Sequence, residues 1–167
     1  GGEPDLSVTL FGQKFRTPLF SGAFIPFPCD GKDGDIEIAG IIKDEGSLFL
    51  AGMVTDEHFR DIAATKVPVI RIVKPYADTE KILSEIRVAR ECGALAVGMD
   101  VDHVFDAKGR VDCIDGNDMR PQSVEDIGNY CREAGIPFIV KGVLSVYDAD
   151  NYLSAGAAGL VVSSHSG

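Results

Sequence analysis

Short apolar runs alternate with amphipathic stretches along nearly the whole chain. Leu19 to Phe24, Leu48 to Met53, Val67 to Val73, Ala94 to Val101, Ile136 to Val140 and Gly159 to Val162 are strand-length and mostly apolar. Continuous rather than alternating apolar character belongs to strands covered on both faces. Between them, Ile36 to Glu45, Asp56 to Thr65, Glu80 to Cys92, Val124 to Ala134 and the stretch VYDADNYLSAGAA read as helices. Asp35, Thr55, Asp78 or Thr79, and Ser123 with Asp126 three residues later are placed to cap the first four of these. Gly46, Gly93, Gly135 and Gly156 each close a helix just before a strand, where a left-handed C-terminal cap favours glycine; the Thr65-Lys66 junction takes that place once. Upstream, Leu6 to Phe15 alternates weakly and predicts a hairpin turning at Gly12, broken by Thr17-Pro18.

Six strands joined by five helices, strictly alternating, predict a parallel sheet with helices outside it. A closed (β/α)8 barrel needs eight such units. Two architectures remain: about six of eight units of a TIM-type barrel, or an open doubly wound parallel sheet. The stop directly after a strand, at His165-Ser166-Gly167, favours the piece of a barrel, with residues 1–167 as one partial domain. Residues 103–122 form a polar insertion after the fourth strand, holding Lys108, Arg110, Asp112 and Asp115, and read as a mobile solvated loop rather than a substrate clamp, although long loops at this rim often act as lids.

Composition narrows the function. A formal net charge of -10 argues against nucleic acid or an anionic membrane as partner, and 45% hydrophobic residues allow a substantial core. No apolar run is long enough to span a bilayer. Cys29, Cys92, Cys113 and Cys131 lack ligand-like spacing, which points to free thiols in a reducing cytoplasm and to no metal centre. The glycine-rich nucleotide loops and the G-x-S-x-G elbow are missing as well.

Candidate chemistry therefore falls to polar residues at strand C-termini, which in parallel α/β folds face the ligand. These are Arg71 and Lys74 on the third strand, Asp100 and Asp102 on the fourth, Lys141 on the fifth, and Ser163, Ser164 and His165 on the sixth. In a barrel Asp102 would orient His165 and stabilise its charged form, and Lys141 would supply a fixed positive charge for a developing anion. The bland alternatives are that Lys141 is a solvated strand-end lysine, that Arg71 and Lys74 pair with the surplus acid, and that His58 and His103 are surface and loop residues.

The stretch VKGVLSVYDADNYLSAGAAGLVVSSHSG resembles the FMN-dependent α-hydroxy-acid dehydrogenase/oxidase family, whose members carry K-G-V/I, then D/E-A-x-x-A-x-x-A-G-A/V, then V-S-N-H-G-G-R. ECGALAVGMDVDHV resembles the family's fourth strand, and LFGQKFRTPLF the hairpin leading into its first. The resemblance, from about Leu6 to the end, implies a flavin-bearing (β/α)8 barrel that oxidises a small L-2-hydroxy acid to the 2-oxo acid. It implies His165 as the base, Asp102 as the group that holds it, and Lys141 beside the flavin N1/O2 edge. Ala23, Asp100 and Ser163 join Lys141 as cofactor contacts, and Lys74 or Tyr76 stands nearest the family's substrate tyrosine on strand three.

Departures are specific. Ser164 stands where the family has Asn and Ser166 where it has Gly. The family's substrate-gripping Arg would lie past Gly167, as would the two last strands whose loops hold the FMN phosphate. That leaves two competitors: a Schiff-base lyase or aldolase-like barrel using Lys141, and a non-catalytic module assembling through its sheet edge. The expected partners are a 2-hydroxy acid and either further copies of the chain or a missing C-terminal segment.

Overall fold

The computed structural model describes Gly2 and residues 4–29, 32–106 and 108–164. It opens on a hairpin, β1 (Val8–Leu10) and β2 (Gln13–Phe15), with Leu10 opposite Gln13. Phe11 and Gly12, the two turn residues, have φ of 50° and 80°. Positive φ at both positions matches the right-handed twist of the paired strands. The next strand, β3 (Ala23–Phe24), is shorter than its apolar run predicts. A small hairpin, β4 (Pro28–Cys29) with β5 (Lys32–Asp33), then leads into α1 (Gly34–Asp44).

From there strand and helix alternate: β6 (Phe49–Gly52), α2 (Asp56–Ala64), β7 (Val69–Val73), α3 (Thr79–Glu91) and β8 (Ala96–Asp100). The insertion contributes β9 (Cys113–Ile114) and β10 (Asn117–Asp118). Then come α4 (Val124–Ala134), β11 (Phe138–Lys141), α5 (Val146–Ser154) and β12 (Gly159–Val161). Thr55, Asp78 and Ser123 cap their helices as expected, Ser123 and Asp126 in a full capping box. Gly46, Gly93, Gly135 and Gly156 all have positive φ, and Lys66 takes the same role with φ 67°.

Strand order decides between the two architectures. The six-stranded sheet runs β12-β11-β8-β7-β6-β3, with every neighbouring pair parallel. The order is sequential, with none of the reversal that defines a doubly wound sheet. Its two faces also differ. Phe49, Ala51, Val69, Val73, Val97, Met99, Phe138 and Val140 pack with helix residues such as Phe59, Ile62, Ile82, Ile86, Ile127 and Tyr130. Leu50, Ile70, Ile72, Ala96 and Ile139 point the other way, where Phe15 and Leu48 join them and, among the described residues, no helix does. Helices on one face of a sequential parallel sheet make an arc of a (β/α)8 barrel.

Four expectations change. Asp35 does not cap α1; Asp33 holds that position. Asp35 is instead buried, and its Oδ2 lies 2.6 Å from Nε2 of His58, so His58 ties α2 to α1 rather than lying on the surface. Arg71 does not face the mouth. An odd-numbered residue of β7, it is buried under the helices, 2.7 Å from Asp56 Oδ1 and 3.1 Å from the Val54 carbonyl, with its guanidinium over the Phe59 ring. The insertion is largely exposed but anchored at a few buried points. Met119 is buried and bridges Tyr76, and Gln122 donates to the Tyr76 carbonyl at 3.1 Å while accepting from the Tyr130 hydroxyl at 3.0 Å. Isolated apolar residues inside a polar stretch hold it down.

Candidate active site at the strand C-termini

Two-residue periodicity assembles the site. On β7, Ile70 and Ile72 face inward, so Lys74 follows on the same side; on β8, Ala96 and Gly98 lead to Asp100; on β11, Ile139 leads to Lys141. Lys141 is paired with Asp100 in the ladder, and Ala23 sits opposite Leu50, two residues before Gly52. Ala23, Ile25, Gly52, Met53, Lys74, Asp100 and Lys141 consequently line one cavity of about 250 Å³.

Asp100 is the hub. Lys74 Nζ donates to its Oδ2 at 2.7 Å and Lys141 Nζ to its Oδ1 at 2.6 Å. The side chains of Asp100 and Lys74 are 3% and 4% exposed, and that of Lys141 is 14% exposed. Buried ions persist only when paired, and both carboxylate oxygens are used. Burial pushes the Asp100 carboxyl up, but the Lys74 charge and the hydrogen bonds from both lysines outweigh it and hold it below the usual carboxylate range. From Lys74 the network continues outward: Nζ is 2.9 Å from His103 Nδ1, and His103 Nε2 is 2.8 Å from Asp112 Oδ2.

Asp102, two residues past Asp100, is built in differently. Both of its carboxylate oxygens are buried without a hydrogen-bond partner among the described residues. It packs on Gly142, which has φ 95°; a Cβ there would overlap the Asp102 carboxyl. Ser163 Oγ is likewise buried and unpartnered among the described residues. His165 lies outside the described residues. Tyr76 is not in the Lys74 cavity. It lines a separate cavity of about 320 Å³ with Lys81, Glu85 and Asp115, with Lys81 Nζ 4.6 Å from its ring centre.

Sequence reasoning missed His103 and Asp112 as site residues. Nothing in their nine-residue spacing signals contact. They meet because the insertion doubles back, with the Asp112 amide donating to the Val104 carbonyl at 2.9 Å.

Acid should weaken this fold through two carboxyls. Asp100 is depressed as above; the hydrogen bond from Arg120 lowers Asp126 to about 2. A group whose pKa is lower folded than unfolded contributes stability above its unfolded value, near 4, and that contribution drains as pH falls through the folded value. Unfolding midpoints in denaturant should therefore drop between about pH 4 and pH 2, and Asp126→Asn should flatten that slope. Superimposable profiles for the two proteins would rule out the Asp126 share.

A partial (β/α)8 barrel with a charged cavity at its strand C-termini defines the class. Residues 2–124 and 115–167 match the FMN-dependent dehydrogenase family, and the chain belongs to that family. It is 24% identical over 193 residues to an L-lactate oxidase of Lacticaseibacillus rhamnosus, covering 98% of this chain and 52% of that protein. An FMN-dependent alpha-hydroxy acid dehydrogenase of Penicillium citrinum is 24% identical over 214 residues, covering 99% and 52%. Among solved structures, a mandelate oxidase variant with (S)-mandelic acid superposes with a TM-score of 0.82 at 21% identity, over 96% of this chain and 51% of that one. The chain thus spans about half the length of the curated relatives it matches. The family resemblance and the barrel reading of the sequence are both borne out, and no described helix is long and apolar enough to cross a membrane.

Proposed function

We propose that the protein to which these residues belong oxidises a small L-2-hydroxy acid to the 2-oxo acid with FMN. The observation that carries this is the convergence of Lys141, Asp100 and Lys74 on one inward-facing cavity beside the small residues Ala23 and Gly52. Gly52 matters here because a Cβ on it would sit 3.2 Å from that of Ala23. A wall of small residues with ammonium groups beside it fits a flat ring system that gains negative charge along one edge. Lys141, Ala23, Asp100 and Ser163 would hold that ring, and FMN supplies the hydride acceptor.

The remaining roles belong to the chain's own side chains. His165 takes the hydroxyl proton of the substrate. Asp102 orients that imidazole and stabilises its charged form, a role that suits a buried carboxylate with no other partner among the described residues. Lys74 receives the substrate carboxylate, while Tyr76 lines the neighbouring cavity instead. The Schiff-base alternative finds no support in the geometry, because an ammonium donating to a carboxylate at 2.6 Å is not the neutral amine that chemistry requires. Free thiols at all four cysteines suit a reducing cytoplasm, and self-association is part of the same proposal.

The test is a visible spectrum of the purified protein carrying FMN, mixed anaerobically with L-2-hydroxy acids. Bleaching of the flavin band is expected, slowed by about 100-fold or more in His165→Asn. A flavin band untouched by every L-2-hydroxy acid tried would sink the oxidation reading.

A further inference from the structure

We propose that His103 and Asp112 are positioning residues that fix Lys74 as the receptor for the substrate carboxylate, so that the insertion is part of the substrate site. The inference rests on the 2-hydroxy-acid reading above. Proton accounting carries it. A lysine ammonium offers three donors and no acceptor, so the ring nitrogen 2.9 Å from Lys74 Nζ must present its lone pair. His103 is then neutral, with its proton on Nε2, donated to Asp112 Oδ2 at 2.8 Å. Asp112 selects that tautomer.

Two of the three Lys74 donors are thereby committed, one to Asp100 and one to His103. Both anchors are rigid: Asp100 is clamped from its other oxygen by Lys141, and His103 by Asp112. The third donor is left for whatever enters the cavity. Charge points the same way. Two ammonium groups and one carboxylate line the cavity, and the imidazole behind Lys74 is neutral. Asp102 is outside that lining, against Gly142. Among the described residues the lining thus presents more ammonium than carboxylate to an entering group, with the Asp112 carboxylate set back behind the His103 ring, and the Lys74 side chain is only 4% exposed there. A carboxylate gives the remaining Lys74 donor a charge-assisted hydrogen bond; a neutral group of equal size gives it a weaker one.

Oxalate, an unreactive dicarboxylate of substrate size, and its neutral isostere oxamide are the probes, titrated by calorimetry into the FMN-loaded protein to which these residues belong. Oxalate should bind and oxamide should not. His103→Leu, which removes the acceptor, should weaken oxalate by about tenfold. His103→Gln, which keeps an acceptor for Lys74 and a donor for Asp112, should stay within about threefold, and Asp112→Asn should fall between them. Should His103→Leu not fold, nitrogen NMR of the unsubstituted chain decides: His103 should carry its proton on Nε2 and shift with oxalate but not with oxamide. A proton on Nδ1, equal affinity for both probes, no oxalate binding, or oxalate affinity indifferent to His103 would overturn the proposal. Oxalate binding with the expected dependence but no bleaching by L-2-hydroxy acids would leave the receptor standing and remove the oxidation reading. Bleaching without the His103 dependence would do the reverse.

Discussion

Asp100→Ala should destabilise the fold by about 3 to 5 kcal/mol, the cost of stripping the partner from a buried charge. Two ammonium groups depend on this one carboxylate, at 2.7 and 2.6 Å. Without it, Lys74 keeps, among the described residues, the His103 ring alone, at a position where water barely reaches. Lys74→Met is predicted to cost less, because Asp100 would still hold Lys141. The double variant Lys74→Met/Asp100→Ala should recover more than half of the single-variant loss, since it leaves no unpaired charge in the deepest position. Denaturant unfolding at neutral pH measures all three. If Asp100→Ala falls within about 1 kcal/mol of the parent, the triad does not hold the fold together in the way its geometry implies.

Gly142→Ala should cost about 2 to 4 kcal/mol, and it should disable the site as well as weaken the fold. Two penalties combine at this position. The backbone φ of 95° is one that side chains with a Cβ rarely adopt, and the new Cβ would overlap the Asp102 carboxyl. Relief can come only from moving Asp102 or bending the start of the loop after β11, whose Gly142 amide donates to the Val161 carbonyl at 3.1 Å. Gly12→Ala is the control. Gly12 has φ 80°, but the methyl that alanine adds there would meet nothing within 4 Å, so only the conformational penalty of about 1 kcal/mol applies. Equal losses for the two variants, read by denaturant unfolding, would mean that contact with Asp102 contributes nothing. A larger loss at Gly142, with FMN-dependent turnover falling in the same variant, is the expected result.

The chain's own order of residues determined a good deal. Buried parallel strands need continuous apolar runs, and their helices need caps and a left-handed exit. Ser123 with Asp126, Thr55, Asp78 and the glycines from Gly46 to Gly156 therefore announced the alternation without any tertiary information. Strand-end chemistry was legible for the same local reason: in a parallel sheet the residue after the apolar run meets the ligand side. The convergence of Lys141, Asp100 and Lys74 on one cavity follows from that pattern. Local pattern could not tell inward from outward, however. Arg71 and Lys74 lie three apart along one stretch, and the two-residue pleat sends them to opposite faces.

What only the tertiary structure decided are the contacts made by chain segments that return from a distance. Barrel rather than doubly wound sheet is a matter of strand order, which no local periodicity encodes. His58 reads as a surface residue until α1 brings Asp35 to it, and the insertion reads as solvated until Met119 and Gln122 dock on Tyr76. His103 and Asp112 are joined only because the insertion folds back on itself. In each case the deciding interaction pairs a polar group with a partner that local sequence does not point to, and burial makes that pairing obligatory.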